Sequence, residues 1–210
     1  MRLKPSCVGD GMTIAQEQGF IHSIHLGQVR PLKVGERVIR SAIAKQAVSG
    51  FVQVATLGLQ GDEQEDLSVH GGVRKAVYAL PRQHLAWWQA QRMQAGATLF
   101  NEPIEPGQLG ENLSLDGVDE HEVFIGDELH FEGGVVLRVT EPRQPCSKFN
   151  AVLGYERAGK DMVQSGRCGF YLAVLHTGSL LAGERFTLHG GPRETSIATA
   201  LQHKARKHMR

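Results

Sequence analysis

VFIGDELHF at residues 123–131 and VVLRVTE at residues 135–141 are the segments that decide the fold. Apolar and polar side chains tend to alternate along both segments, which is the pattern of a β-strand with one buried face. Glu132, Gly133 and Gly134 separate them, and a short connection that contains glycine is typical of a hairpin. This stretch therefore predicts two antiparallel strands joined by a tight turn.

The chain on either side of the hairpin has the same character. Residues 19–58 contain short apolar runs with β-branched content, and residues 169–175 form an apolar run typical of a buried strand. Two helices are predicted, one with Pro81 in its first turn that continues to about Gln94, and one over about 155–164. The predicted fold class is mainly β (α+β), a closed or nearly closed β-barrel with a few short helices.

The predicted organisation is one barrel domain with short ends. We expect an N-terminal extension over residues 1–18, the barrel over 19–188 and a basic C-terminal tail over 189–210. The tail carries five basic side chains and one acidic side chain, and it has room for one short helix from about Glu194. Two interpretations of the tail remain open: a solvated chain end, or a docking patch for an acidic flavodoxin-like reductase.

Composition excludes several classes of protein. The 23 Lys and Arg residues nearly balance the 22 Asp and Glu residues, so no global field attracts nucleic acid or an anionic membrane. We find neither a signal peptide nor an apolar stretch long enough to span a membrane. The three cysteines, Cys7, Cys146 and Cys168, are widely spaced and fit neither a disulfide scaffold nor a structural zinc site. We therefore expect a cytoplasmic protein with reduced thiols.

Cys146 is the strongest candidate for chemistry. It follows a predicted strand, it is preceded by prolines, and Arg143 and Lys148 lie close to it in the sequence. The thiolate is the nucleophilic and metal-binding form of cysteine, and nearby positive charge lowers the cost of forming it. The alternative is a buried cysteine that acts as a small hydrophobic residue. The local sequence leaves both interpretations open.

A glycine pair provides the second candidate. His70, Gly71 and Gly72 precede a predicted strand that begins near Lys75. Backbone amides in such a turn can bind a phosphate, and a lysine can neutralise its charge. The alternative is a glycine turn with solvated charges.

Two further side chains are weaker candidates. The carboxamide of Asn112 could bind the edge of a heterocycle or cap a turn, and the local sequence favours capping. Arg167 precedes a predicted strand, where an arginine can hold an anion. Cys168, next to it, is interpreted as a core residue.

Taken together, these segments resemble the MOSC (molybdenum cofactor sulfurase C-terminal) domain family in both content and order. The resemblance covers roughly residues 20–188 and is greatest to the bacterial 6-hydroxylaminopurine-resistance type. It is carried by Gly61-Asp62, His70-Gly71-Gly72, Lys75-Ala76-Val77, Gly110-Glu111-Asn112-Leu113, Ile125-Gly126-Asp127, Pro145-Cys146 and Gly166-Arg167-Cys168-Gly169.

This resemblance implies a β-barrel that holds the molybdenum cofactor, a pterin dithiolene with a terminal phosphate. Cys146 would be the catalytic residue and the metal ligand, because molybdenum favours soft sulfur donors. The residues expected to bind the cofactor are His70, Gly71, Gly72, Lys75, Asn112, Arg143, Lys148 and Arg167. At the level of the superfamily, pyridoxal phosphate binding is a further association.

The implied activity is the reduction of small N-hydroxylated substrates, such as hydroxylaminopurine-like base analogues, to amines, which would detoxify them. A separate flavoprotein or flavodoxin-like reductase would supply the electrons, and a homodimer is among the assemblies considered. Two alternatives remain: transfer of sulfur through a Cys146 persulfide, and a barrel that binds the cofactor without catalysis.

Overall fold

The computed structural model describes residues 17–65 and 71–208 of the chain. The strands are β1 (Glu17–Gly27), β2 (Arg30–Val34), β3 (Arg37–Ser41), β4 (Lys45–Val48), β5 (Val52–Ala55), β6 (Gly58–Leu59), β7 (Val77–Pro81), β8 (Leu113–Asp116), β9 (Glu128–Phe131), β10 (Val136–Pro142), β11 (Phe170–His176), β12 (Gly178–Leu180) and β13 (Arg185–His189). The helices are α1 (His84–Gln94), α2 (Ser147–Leu153), α3 (Ala158–Ser165) and α4 (Ile197–His208), and a short 3-10 helix covers Val73–Lys75.

Seven strands close into a barrel in the order β13, β9, β10, β11, β7, β8 and β1, and β1 pairs again with β13. The pairing of β7 with β8 is parallel, and the other pairings around the ring are antiparallel. β4 extends the sheet outward from β1, whereas β2 and β3 form a separate hairpin and β12, β5 and β6 form a separate small sheet. The predicted β-barrel with a few short helices is confirmed.

The closure of the barrel depends on β1. Its first half pairs with β13 and its second half with β4, while β8 pairs along its middle. The register shifts between Ile21 and Ser23, and such an irregularity bends a strand and increases its twist. This eleven-residue strand can therefore pair with both β13 and β8 and so close the barrel.

The hairpin predicted from the sequence is present as β9 and β10, with Gly134 at φ 88° in the turn. Its first strand is shorter than expected because Phe124 to Asp127 form a turn instead. The Asp127 carboxylate accepts a hydrogen bond from the Phe124 backbone N–H at 3.0 Å, and Gly126 has φ 96°. The side chain of Asp127 stabilises this turn in place of a strand ladder.

The helices differ from the sequence expectations at their starts. Pro81 is the last residue of β7, and α1 begins three residues later at His84. α3 begins at Ala158 and ends at Ser165, close to the predicted second helix. α2 starts within the segment 142–150, which begins with Pro142 and contains Pro145, and the sequence of that segment predicts irregular structure instead of a helix.

The C-terminal segment packs against the barrel. α4 begins at Ile197, near the expected start at Glu194, and Ile197 and Leu201 are buried. Lys204 on the same helix contacts Glu141 of β10 at 2.5 Å. The interpretation of this segment as a solvated end is therefore wrong for the first turns of α4.

The core fills the barrel and continues under the helices. Trp88 of α1 and Phe149 of α2 are fully buried, and their rings meet edge to face with centroids 5.0 Å apart. This contact fixes α2, and with it the segment just before it, against the rest of the molecule. None of the helices in the described ranges has both the length and the hydropathy needed to cross a bilayer.

Candidate functional site

Cys146 lies at the junction between β10 and α2. Its backbone is extended, and its carbonyl accepts hydrogen bonds from the N–H groups of Phe149 and Asn150 at 3.1 and 3.3 Å. The carboxamide of Asn150 in turn accepts a hydrogen bond from Gly159 N–H at 2.8 Å, which ties α2 to α3. The cysteine is therefore held by two helices, and its half-buried thiol lines a cavity.

This cavity brings together segments that are far apart in the sequence. It is lined by residues from the β3–β4 region, the loop after β6, the start of β7, the loop before β8, the β10–α2 junction and β11. They are Ser41, Ala42, Ile43, Lys45, Asp62, Glu63, Gln64, Glu65, Lys75, Tyr78, Gly110, Asn112, Arg143, Cys146, Lys148 and Tyr171. Five side chains predicted for the site, Lys75, Asn112, Arg143, Cys146 and Lys148, thus share one cavity.

Arg143 is the buried cation of this cavity. Its residue is 5% exposed, and its guanidinium lies 4.4 Å from the centroid of the Phe149 ring and 5.5 Å from that of Tyr78. Its Nη2 donates to Cys146 Sγ at 3.9 Å. In the described part of the chain no carboxylate forms an ion pair with it. The buried carboxylate of Glu111 interacts with this guanidinium electrostatically but forms no ion pair with it. A buried guanidinium without an ion-pair partner is suited to an anionic group beside Cys146.

The glycine pair positions Lys75. Gly72 has φ 83°, a conformation that favours glycine, and it accepts a hydrogen bond from Lys75 N–H at 2.9 Å. The Lys75 ammonium lies 5.6 Å from the centroid of the Tyr171 ring. Gly71 and Gly72 are not among the residues that line the cavity. His70 falls outside the described residues.

Asn112 lines the cavity, but its carboxamide already has partners within the protein. Its oxygen accepts from Tyr78 N–H at 3.1 Å, and its Nδ2 donates to His25 O at 3.2 Å and to Asp62 Oδ2 at 2.9 Å. The side chain connects three separate segments of chain. This arrangement favours the structural alternative over recognition of a heterocycle edge.

The structure places Arg167 apart from this set. Its guanidinium lies 4.9 Å from the centroid of the Trp87 ring, and it is not among the residues that line the cavity. The reason is local, since α3 ends at Ser165 and Gly166, which follows it, has a left-handed conformation just before Arg167. Cys168 is fully buried and its thiol contacts Gly169 O at 3.0 Å. Burial raises the pKa of Cys168 well above its ordinary value, in agreement with a core residue.

A buried ion pair in the cavity wall was missed by the sequence reasoning. Lys45 Nζ contacts Asp62 Oδ1, and the two side chains are 7% and 2% exposed. Asp62 belongs to the Gly61-Asp62 motif, but Lys45 belongs to no motif and is separated from Asp62 by 17 positions. Only the tertiary fold brings this lysine to the cavity.

Two buried titratable groups surround that pair. Burial raises the pKa of Glu111 to about 6, although its Oε1 accepts hydrogen bonds from Gly107 N–H at 2.6 Å and Ser114 Oγ at 3.3 Å. Burial and the positive charge of Lys45 lower the pKa of His25 to about 4. Near the pair of Lys45 and Asp62, burial therefore shifts the pKa values of Glu111 and His25 in opposite directions.

A second polar cluster lies elsewhere in the described part of the chain. His84, Asp119 and Glu120 place three potential metal-binding atoms within 4.8 Å of one another. However, His84 Nε2 lies 2.5 Å from Glu120 Oε2, and Glu120 Oε1 accepts from Gly169 N–H at 2.6 Å. These contacts hold the turn before β11, and we assign no metal to the cluster.

A closed seven-stranded barrel with Cys146 in a cavity lined by cations defines the class: a β-barrel protein with a thiol beside basic side chains. The chain belongs to the MOSC domain family, whose model matches residues 66–187. The resemblance predicted from the sequence is confirmed.

Curated relatives support this assignment. YiiM of Escherichia coli is 35% identical over 159 residues, which cover 76% of this chain and 67% of that protein. YflK of Bacillus subtilis is 32% identical over 173 residues, covering 82% and 74%. A protein of Gibberella moniliformis named Reductase is 33% identical over 175 residues, which cover 81% of this chain but 29% of that protein.

Solved structures show the same fold. The crystal structure of YiiM from Geobacillus stearothermophilus has a TM-score of 0.69 at 28% identity and covers 90% of this chain and 85% of that chain. That of YiiM from Escherichia coli has a TM-score of 0.64 at 22% identity, with 90% and 76% covered. The barrel is thus shared with YiiM structures from two bacteria.

Proposed function

We propose that this protein is a molybdenum-cofactor enzyme that reduces N-hydroxylated compounds to amines, with Cys146 as the protein ligand to the metal. The observation that carries the proposal is the position of the Cys146 thiol, 3.9 Å from a buried guanidinium and in a cavity shared with Lys75 and Lys148. A soft sulfur donor beside several cations suits a metal group that also bears a phosphate.

The residues present fit such a group. Arg143 provides a buried positive charge that forms no ion pair with a carboxylate among the described residues, and Lys75 and Lys148 line the same cavity. When bound, the cofactor would supply the two-electron chemistry that removes oxygen from nitrogen. The protein would supply the thiolate of Cys146, the cations that hold the anionic groups, and the walls that limit the access of water.

The name of the Gibberella relative supports a reductase, although this chain matches 29% of that protein. The proposed electron source is a separate flavoprotein or flavodoxin-like reductase, and docking on the basic C-terminal tail over residues 189–210 stays a prediction. Because the Cys146 thiol must stay reduced to bind a metal, the proposal includes a cytoplasmic location.

The test is elemental analysis of protein purified from a molybdate-fed host that makes the cofactor, followed by an assay with 6-hydroxylaminopurine and a chemical reductant. We expect stoichiometric molybdenum and formation of the amine. Sulfur released by cyanide, without molybdenum, would favour the persulfide alternative. Neither metal nor labile sulfur would favour a barrel without catalytic function.

A further inference from the structure

The buried ion pair of Lys45 and Asp62 lies in the wall of the Cys146 cavity and has no role in holding the cofactor proposed above. Both side chains line that cavity, yet they are 7% and 2% exposed. Burial of such a pair is costly unless further hydrogen bonds compensate for the lost water.

The carboxylate of this pair is held by the surrounding chain. Asp62 Oδ1 accepts from Gly27 N–H at 2.6 Å, and Oδ2 accepts from Asn112 Nδ2 at 2.9 Å. Asp62 is thus fixed in place and accepts one hydrogen bond from the Lys45 ammonium. An ammonium has three N–H donors, so Lys45 keeps donors beyond the one that Asp62 uses.

Lys75 and Lys148 line the same cavity, but they are half-buried and are assigned above to the anionic groups of the cofactor. The arginine and the tyrosines of the cavity are poorer sources of a proton. Arg143 remains protonated at any physiological pH, so it cannot act as an acid. Burial raises the pKa of both Tyr78 and Tyr171 above the ordinary value, and the Tyr78 hydroxyl already donates to Cys168 O at 2.8 Å. A lysine, in contrast, can both donate and recover a proton, and burial lowers the pKa of Lys45 from its ordinary value.

We propose that Lys45 is the proton donor for cleavage of the N–O bond, an assignment that rests on the proposed reductase function. Two electrons come from the reduced flavoprotein partner. As the N–O bond of R–NHOH breaks, Lys45 gives a proton to the departing oxygen, which leaves as water. The nitrogen takes a second proton from solvent to give R–NH2, and solvent then reprotonates Lys45.

Three groups from different elements face this lysine: Asp62 from the loop after β6, Glu111 from the loop before β8, and His25 from β1. Burial lowers the pKa of Lys45, while the carboxylates of Asp62 and Glu111 raise it. A proton donor must be protonated, so the rate should fall as pH rises through the pKa of Lys45.

The test compares molybdenum-loaded wild type with Lys45→Arg, which keeps the positive charge opposite Asp62 but cannot lose its proton. We expect kcat to fall by at least about 100-fold and the alkaline decline of the pH profile to disappear. KM and molybdenum content should remain near those of wild type. Lys33→Arg, at an exposed position on β2, is the matched control and should leave both kcat and the profile unchanged.

Asp62→Asn provides an independent variant. It keeps the shape of the side chain but removes the charge that raises the pKa of Lys45, so the alkaline decline should move to lower pH. Competitive labelling of lysines in the intact protein, read by mass spectrometry, gives the pKa of Lys45 without reference to activity. This pKa should agree with the alkaline decline to within about one pH unit.

Wild-type kcat in Lys45→Arg with the alkaline decline intact would overturn the assignment while leaving the reductase function standing. A labelled Lys45 whose pKa lies far from the decline would also overturn it. If the loaded wild-type protein reduces no N-hydroxylated compound, the proposed function fails first, and the assignment fails with it.

Discussion

At the scale of single residues, the contact between Arg143 and Cys146 organises the site. The sequence suggested both residues because they lie three positions apart in a proline-bounded segment. It could not show that Arg143 would be buried over the Phe149 ring or that Asn112 would use its carboxamide on Tyr78, His25 and Asp62. Those contacts join segments that are distant in the chain, and only the fold determines them.

The first prediction concerns the thiol itself. Cys146→Ser should fold normally and lose its activity, because a hydroxyl of similar size is a poor ligand for a soft metal. Thermal unfolding and reduction of 6-hydroxylaminopurine measure the two effects. Cys168→Ser is the control and should keep most activity, since Cys168 is a core residue. Normal activity in Cys146→Ser together with inactivity in Cys168→Ser would exchange the roles of the two cysteines.

The second prediction separates two arginines that the sequence treats alike. Arg143→Gln should lower molybdenum content about 10-fold, because it removes the charge-assisted contact proposed between Arg143 and the cofactor. Arg167→Gln should leave the content unchanged, since its guanidinium packs on Trp87 away from the cavity lining. Metal analysis at equal protein concentration measures both. Loss of metal in Arg167→Gln alone would indicate that Arg167, and not Arg143, binds the anionic groups of the cofactor.

At the scale of elements, the hairpin of β9 and β10 was predictable because its strands alternate and its turn contains glycine. α2 was not, because the prolines before Cys146 indicate an irregular segment and the seven-residue helix has too few turns for a periodic pattern. The burial of α4 was also unpredictable from its basic composition. The short apolar face of α4 can be recognised as a buried face only once the fold places β10 and α3 against it.

The third prediction follows from that burial. Leu201→Ala should reduce the free energy of unfolding by about 2–4 kcal/mol, because it leaves a cavity between α4 and the barrel. Arg206→Ala, at an exposed position on the same helix, should change it by less than about 0.5 kcal/mol. Urea denaturation measures both values. Equal stability of the two variants would show that α4 does not contribute to the folded barrel.

For the molecule as a whole, the stability of the barrel should depend on pH through two buried groups, His25 and Glu111. The pKa of His25 is about 4 in the folded protein, below its ordinary value of 6.5, so the unfolded state binds the proton first as pH falls. Stability is therefore lost as pH falls from 6.5 to about 4. Glu111 acts in the opposite direction, because its raised pKa makes the folded state bind more protons between 4.5 and about 6.

The fourth prediction isolates these two contributions. His25→Leu should remove a loss on the order of 2–3 kcal/mol over this pH range and flatten the dependence. Glu111→Gln should steepen the loss of stability as pH falls, because it removes the opposing group. Urea unfolding at several pH values between 4 and 7 provides the comparison. A dependence that His25→Leu does not alter would mean that other groups control it.

The proposed function depends on the binding of molybdenum by Cys146 in the cavity of this barrel. The most direct measurement is X-ray absorption at the molybdenum edge, on wild type and Cys146→Ser loaded in the same host. We expect stoichiometric molybdenum in wild type and the loss of one sulfur neighbour from the metal in the variant. Wild-type protein without molybdenum, or a sulfur count that the substitution leaves unchanged, would contradict it.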